Sequence, residues 1–375
     1  MANPTETAPA LDNSAGPVEP AAPSCNHADG QARLPVAVVI PCYKVRSQIA
    51  AVITGILDRV LQIYVVDDRC PEQTGRFVQQ HFANPRVAVL FHEGNQGVGG
   101  AVITGYRRAL LDGYDIVVKM DGDNQMDPAY LPALIAPLLA GTADYTKGNR
   151  FFELYSLTGM PLTRLIGNAG LSFVNKLASG YWDIMDPTNG YTAIHRVALS
   201  LLPLDRMERR YFFESDMLFR LSTVRAVIRD VPMPAIYRNE RSNLKVARVL
   251  LDFPRLFMSR IGKRFFYTYL LRDFNIGSLE TLVGIPLVLF GAAFGALHWI
   301  QSVRTGQFTS TGTVMIAVLP IVIGVQLLLS AIGFDMANRP DLPLQRLDSL
   351  ARMPHGSASG GRDGRAARAG RTGKP

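Results

Sequence analysis

The sequence predicts an α/β fold, a helix-flanked parallel sheet, with two membrane-crossing helices behind it. Short β-branched runs alternate with stretches of helical spacing over the first half of the chain, which is the pattern of repeated strand-helix-strand units. One run, Ile116-Val-Val-Lys-Met120, passes directly into Asp121-Gly-Asp-Asn-Gln125, and open α/β sheets bind ligands where strands end. Two long apolar stretches then follow in the last third, bracketed by basic segments.

In chain order, residues 1–33 are rich in Ala, Pro and Asn and are expected to be disordered. They contain no basic stretch followed by an apolar run, so no secretory signal peptide is expected. Val36 to Ile40 reads as the first strand, and Ile49, Ile53, Ile56 and Leu57 carry the spacing of the first helix. Ile63 to Val66 is the second strand and ends in Asp67-Asp68; Phe77 and Val78 fall in the next helix, and Val87 to Phe91 is the third strand. The glycine-rich stretch Gly94 to Gly100 leads into a helix over Ala101 to Leu111. A dinucleotide fingerprint starting at Gly97 would need glycine where Val102 stands, so NAD binding is disfavoured. Two readings of the stretch stay open, a tight turn packing helix against strand and a direct phosphate contact.

Beyond the Asp121 run, Ala143 to Arg150 reads as a strand and Met160 to Leu177 as an amphipathic helix. Asp186-Pro-Thr-Asn-Gly190 turns into another strand, Tyr211 to Val224 is helical, and Ala226 to Val231 closes the series. From Lys245 to Phe274 basic residues interleave with Leu, Phe and Tyr, as in a helix lying under lipid headgroups. Ser278 to Ile300 and Thr313 to Phe334 are each apolar over about 33 Å of helix, enough for a hydrocarbon core of about 30 Å. The expected division is therefore a folded domain over 34–240, basic interfacial helices over 241–274, two spans over 275–334 and a disordered basic tail over 335–375.

Charge placement narrows the function classes. The net charge of +8 is not a nucleic-acid signature, because it is concentrated beside the apolar stretches. Arg238 to Arg272 holds nine Lys/Arg against two acids and Asp335 to Pro375 eight against four, leaving the rest of the chain net acidic. That is the distribution of residues facing anionic lipid. The loop from Gln301 to Gly312 carries only Arg304, so both termini and the folded domain are expected on the cytoplasmic side, in a bacterial inner membrane. Three cysteines, Cys25, Cys42 and Cys70, have no paired spacing and indicate neither a disulfide framework nor a zinc site.

Asp121 and Asp123 flank a glycine, so both carboxylates can turn to one hard cation, with Gln125 as a neutral oxygen donor. Mg²⁺ or Mn²⁺ suits such a set and keeps positions open for phosphate oxygens. The alternative is that these acids cap a loop.

Val38-Val-Ile-Pro-Cys-Tyr43, Val65-Val-Asp-Asp68, Asn95-Gln-Gly97 with Gly99-Gly100, and Met120-Asp-Gly-Asp-Asn-Gln125 occur in this order. Over roughly Leu34 to Phe334 the chain resembles the family 2 glycosyltransferases, in particular the polyprenyl-phosphate type with two C-terminal membrane helices. The resemblance implies a GT-A fold and inverting transfer of a sugar from a UDP- or GDP-linked donor to a polyprenyl phosphate, for cell-envelope glycan modification. It further implies that Pro41, Tyr43 and Gly97 line the nucleotide site and that Asp68 contacts the base. Asp121, Asp123 and Gln125 would hold the metal and diphosphate, and Arg150, in Gly148-Asn-Arg150, would lie near phosphate. The sequence departs from the family at Lys44, Val45 and Arg46 and at Arg69-Cys70, and its basic element before the membrane is altered, with Arg238, Arg241, Ser242 and Lys245 together as the phosphate-binding candidates. Homo-oligomerisation is left open.

A diphosphate leaving group calls for cationic neutralisation, which a divalent ion and Arg150 would supply. A phosphate acceptor, with a second pKa of ~6, needs orientation more than deprotonation. A glycan hydroxyl, the alternative acceptor, would need a carboxylate base, and Glu214 or Asp216 in Phe213-Glu-Ser-Asp216 would serve.

Overall fold

The computed structural model describes residues 33–152, 162–234 and 246–352. Seven strands form one sheet in the order β3-β2-β1-β4-β6-β5-β7. They are β1 (Leu34–Cys42), β2 (Val60–Asp67), β3 (Val87–Phe91), β4 (Ile116–Lys119), β5 (Tyr145–Asn149), β6 (Thr192–His195) and β7 (Ile228–Pro232). Helices α1 (Ile49–Leu57), α2 (Thr74–His81), α3 (Val98–Leu111), α4 (Leu131–Leu139), α5 (Leu162–Ser179), α6 (Arg196–Leu201) and α7 (Phe213–Thr223) connect or flank them.

Alternation along β1 shows how the sequence builds two layers. Val36, Val38 and Ile40 face the core completed by Ile53 of α1 and Leu134 of α4, whereas Ala37 and Val39 face the core completed by Tyr106 of α3 and Met217 of α7. Successive strand residues point to opposite faces, so an unbroken apolar run is what a doubly covered strand requires.

The sheet is mixed, where a parallel one was expected. β1, β2, β3 and β4 are parallel, but β6 runs antiparallel to both β4 and β5. Hydrophobic pattern marks a strand but not its direction; direction follows from the connection. β6 is reached from α5 through the turn at Asp186 to Tyr191 and so starts at the end of the sheet where β4 and β5 finish. Lys119 and Lys147 are both in register with Thr192, which brings the ends of β4 and β5 and the start of β6 to one edge.

After the sheet come α8 (Val246–Arg264), a π-helical stretch (Phe265–Arg272), α9 (Ile276–Thr305), α10 (Thr311–Ala337) and α11 (Leu344–Arg352). α9 and α10 are long and apolar enough to cross a membrane, and only 11% of each apolar window is buried, so neither is the core helix of a soluble domain. They pack on each other through small residues, Gly284 and Gly291 against Ala317 and Gly324, which permits close backbone approach. Glu280 accepts a hydrogen bond from Ser330 Oγ across the pair, at 2.6 Å.

Asp335, near the end of α10, ties this pair to the folded domain. Its carboxylate accepts from Trp182 Nε1 at 2.7 Å and Arg264 Nη1 at 3.2 Å, and from Tyr269 Oη. The tail also differs from expectation. Residues 344–352, read as disordered, form α11, which returns to the sheet domain. Asp144, fully buried at the start of β5, accepts from the backbone N–H of Leu344 at 2.9 Å, Gln345 at 3.2 Å and Val227 at 2.8 Å. Gln345 Nε2 donates to the carbonyls of Leu138 and Ala143. One buried carboxylate thus satisfies amides at the start of α11 and in the segment entering β7, which explains why a charged tail segment orders.

Candidate active site

The site lies where β1, β2 and β4 end. Met120 is the last buried residue of its run, and the chain then turns through Gly122, with Asn124 at φ +59°. Asp123 Oδ1 accepts from the Gln125 N–H at 3.1 Å, so the Asp-Gly-Asp turn is held by its own side chain. Beneath it lies Lys119, whose side chain is only 2% exposed and whose Nζ sits 2.9 Å from Asp121 Oδ1 and 3.1 Å from Glu214 Oε1. Burial alone would depress this ammonium; Asp121 and then Glu214 outweigh it and raise the pKa above the ordinary lysine value. Lys119 therefore stays charged and fixes the Asp121 carboxylate. Gly190 presses on both groups: a Cβ there would stand 2.3 Å from Lys119 Nζ and 2.4 Å from Asp121 Oδ2. The antiparallel β6 is what delivers Gly190 to this point.

Two cavities meet at Asp121 and Asp123. The larger, about 460 Å³, is lined by Pro41, Tyr43, Val45, Asp68, Asn95 and Gly97, and by Arg210 and Tyr211 from the segment before α7. The smaller, about 110 Å³, is lined by Gln125, Tyr130, Arg150, Thr188, Gly190 and Met233. The two acids line both. Pro41, Tyr43, Asp68, Gly97, Asp121, Asp123, Gln125 and Arg150, all singled out in the sequence, are thus brought to one edge of the sheet.

Asp68 lines the larger cavity, and both its oxygens also hold the glycine-rich loop. Oδ1 accepts from Gln96 N at 2.7 Å and pairs with His92 Nδ1 at 2.8 Å, and Oδ2 accepts from Gly97 N at 2.7 Å. Gly97 adopts φ +88°, a conformation that favours glycine. The departures from the family motif pack on one another: the Lys44 N–H donates to Cys70 Sγ at 3.0 Å, and Cys70 contacts Thr74 Oγ1 at 3.2 Å. Both Lys44 and Arg69 are left-handed, at φ +59° and +53°.

Arg150 is oriented by Asp186, which accepts from Nε at 2.7 Å and Nη2 at 3.1 Å. Burial would raise the Asp186 pKa, but the hydrogen bonds and charge of Arg150 outweigh it and hold the carboxylate below its usual range. The buried Lys147 donates to the Asn189 carbonyl, and burial pulls its pKa down to about 8.

Three expectations are corrected or fall elsewhere. Asp216 is not a general base: it is fully buried, with Oδ1 accepting from Arg260 Nε at 2.6 Å and Oδ2 from Glu208 N at 2.9 Å. Its place in Phe213-Glu-Ser-Asp216 puts it on the core face of α7, four residues before Arg220, with which it also pairs at 3.4 Å. Glu214 is committed to Lys119 as an ion pair. Arg238, Arg241, Ser242 and Lys245 lie outside the described residues. Conversely, sequence reading missed Lys119, Gly190, Arg210 and Tyr211. Lys119 had a signal, a lone lysine inside an otherwise apolar strand.

The donor set at the turn fits a hard divalent cation. It is all oxygen, two carboxylates and one amide, at the junction of two cavities. Among the described residues no group of three His, Cys, Asp or Glu could hold a metal, so an ion here would complete its shell with ligand oxygens, as Mg²⁺ and Mn²⁺ do.

The mixed sheet with an Asp-Gly-Asp turn at its ligand edge defines a GT-A glycosyltransferase fold. The chain belongs to glycosyl transferase family 2, whose family model matches residues 37–202, and it is a transferase. It is 30% identical over 243 residues to the UDP-N-acetylglucosamine–dolichyl-phosphate N-acetylglucosaminyltransferase of Methanococcus voltae, covering 60% of this chain and 96% of that protein. It is 31% identical over 207 residues to the undecaprenyl-phosphate mannosyltransferase of Micrococcus luteus, covering 54% of this chain and 84% of that protein. Among solved structures it is similar to mannosyl-3-phosphoglycerate synthase from Rubrobacter xylanophilus, with TM-score 0.49 and 17% identity over 64% of this chain and 76% of that one.

Proposed function

We propose that the protein transfers a sugar from a UDP- or GDP-linked donor to a polyprenyl phosphate at the cytoplasmic face of a bacterial inner membrane, for cell-envelope glycan modification. The observation that carries this reading is the meeting of two cavities at Asp121 and Asp123. The larger suits a nucleoside, with Pro41, Tyr43 and Val45 as its apolar wall. The smaller, with Arg150 and Gln125, suits the sugar and the approaching phosphate. The relatives' names, which specify dolichyl and undecaprenyl phosphate, support the acceptor class.

Asp121, Asp123 and Gln125 would hold Mg²⁺ or Mn²⁺, which when bound neutralises charge on the diphosphate. Lys119 holds the Asp121 carboxylate in place, Asp186 fixes the guanidinium plane of Arg150, and the Asp68-bound loop shapes the nucleotide wall. A phosphate acceptor arrives ionised and needs no base. That matches a site in which Asp216 and Glu214 are both spent on cations, and it weighs against a glycan hydroxyl acceptor. Exposed Phe266, Tyr267, Leu271 and Phe274 beside the first span support a domain lying on the membrane surface.

Asp123→Ala tests the reading. Transfer from labelled UDP- and GDP-sugars to undecaprenyl phosphate should be lost at saturating Mn²⁺ while the melting temperature holds. Retained turnover would sink the metal assignment.

A further inference from the structure

Glu208 to Tyr211 belongs to none of the motifs singled out above, yet it is gripped from two sides. On the cavity side, the Glu208 and Arg209 carbonyls lie so close to Gly99 and Gly97 that a Cβ at either glycine would come within 2.6 Å and 2.5 Å of them. The Gly100 N–H donates to the Arg209 carbonyl at 3.1 Å. The glycines of the loop therefore serve close approach of this segment. On the other side stands α8. Arg260, 5% exposed, donates through Nη2 to Glu208 Oε1 at 2.9 Å and through Nε to Asp216 Oδ1 at 2.6 Å, while Asp216 Oδ2 holds the Glu208 N–H. Phe212 packs edge-on against Phe253 and Phe257 of the same helix, with ring centroids 5.3 Å and 4.8 Å apart. This clamp presents Arg210 and Tyr211 to the cavity that Asp121 and Asp123 line.

The charges there call for another cation. Two carboxylates offset a divalent ion, Lys119 is shared between Asp121 and Glu214, and Arg150 is paired with Asp186. Arg210 is exposed at the cavity and, among the described residues, in no ion pair with a carboxylate.

Resting on the donor site proposed above, we propose that Arg210 binds the donor's diphosphate and neutralises it as it leaves, and that Arg260, on the juxtamembrane helix, is the positioning residue that holds Arg210 there. As the anomeric C–O bond breaks, its electron pair stays on the diphosphate oxygen, and an acceptor phosphate oxygen forms the new bond. The guanidinium of Arg210 meets the charge on the departing group.

The test uses the full chain in detergent micelles, titrated with UDP and GDP in the presence of Mn²⁺, and with uridine and guanosine. Arg210→Gln should weaken diphosphate binding roughly ten- to hundredfold, as expected for loss of a charge-assisted contact, with nucleoside binding unchanged. Unaltered diphosphate affinity in Arg210→Gln would overturn the proposal alone; wild-type protein that binds neither diphosphate would overturn the donor-site reading beneath it. Positioning is read by a double-mutant cycle. Arg260→Lys, and Glu208→Gln, which leaves the Asp216 to Arg260 pair intact, should each weaken diphosphate binding in the wild-type background and add nothing in Arg210→Gln. Losses that add in full, or no loss from either variant, would overturn the role of Arg260.

Discussion

Replacing Gly190 by alanine should disable the site without removing any polar group. The new Cβ would stand 2.3 Å from Lys119 Nζ and 2.4 Å from Asp121 Oδ2, where ordinary contact begins at 3.4 Å. Each neighbour must therefore give way by about 1 Å. Lys119 is the far end of a flexible chain, but it is 2% exposed and held between Asp121 and Glu214, so the Asp121 carboxylate is what moves. A misplacement of about 1 Å at a reacting centre costs roughly a hundredfold in rate, whereas overpacking costs about 1–3 kcal/mol of stability. Transfer to undecaprenyl phosphate, measured against Mn²⁺ concentration, should fall roughly a hundredfold with a raised Mn²⁺ requirement and a modest drop in melting temperature. Gly170→Ala in α5, where a Cβ meets nothing within 4 Å, is the control and should behave as wild type. Wild-type turnover and Mn²⁺ dependence in Gly190→Ala would refute the argument that Lys119 and Gly190 together fix Asp121.

Three further expectations are open to measurement. Burial pushes the Asp230 carboxyl from 3.8 up to about 6; the folded state then holds the extra proton between those values, so this contribution, about 3 kcal/mol, is present below pH 4 and lost as pH rises through 6. Asp230→Asn should gain in melting temperature relative to wild type between pH 4 and 6.5, and a constant difference would contradict the assignment. Asp144→Ala strands the amides of Leu344, Gln345 and Val227 and should cost at least about 3 kcal/mol, read as a lower melting temperature and faster proteolysis within 344–352; an unchanged digest would count against the docked tail. A cysteine placed at Phe308, in the short turn between α9 and α10, should react with an impermeant thiol reagent only from the face opposite the folded domain, and labelling from the domain side would reverse the proposed orientation.

The pattern of the sequence reached most of the fold because burial and periodicity are local properties. β1 and β4 are legible as unbroken apolar runs, and the Asp-Gly-Asp turn is legible because a polar stretch ends such a run. The direction of β6 was not legible, since the same alternation serves either direction. The misreading of Asp216 has a like cause. An acid at the start of a helix suits the helix dipole, and only the fold brings Arg260, 44 residues away, onto its carboxylate. Arg210 carried no signal, because its role depends on glycines over a hundred residues earlier. Residues 344–352 escaped because a Gly- and Arg-rich stretch follows them, although Leu344 and Leu347 have helical spacing and Asp144 was waiting in the core.

The contacts between the two apolar helices and the sheet domain bear on how the proposed lipid-bound acceptor would be met. A polyprenyl phosphate cannot leave the plane of its headgroups, so the proposed acceptor would require the site to be held at that plane. Three buried carboxylates perform complementary parts of this task. Asp335 binds the end of α10 to Trp182 of the domain and to Arg264 of α8. Asp144 receives the chain again as it leaves α10 and starts α11. Asp216 links Arg260 of α8 to the segment lining the larger cavity. Removing one member of such a buried pair costs about 3–5 kcal/mol, so loss of any of the three should loosen these contacts. Through Arg260, α8 is part of the scaffold of the segment that lines the larger cavity.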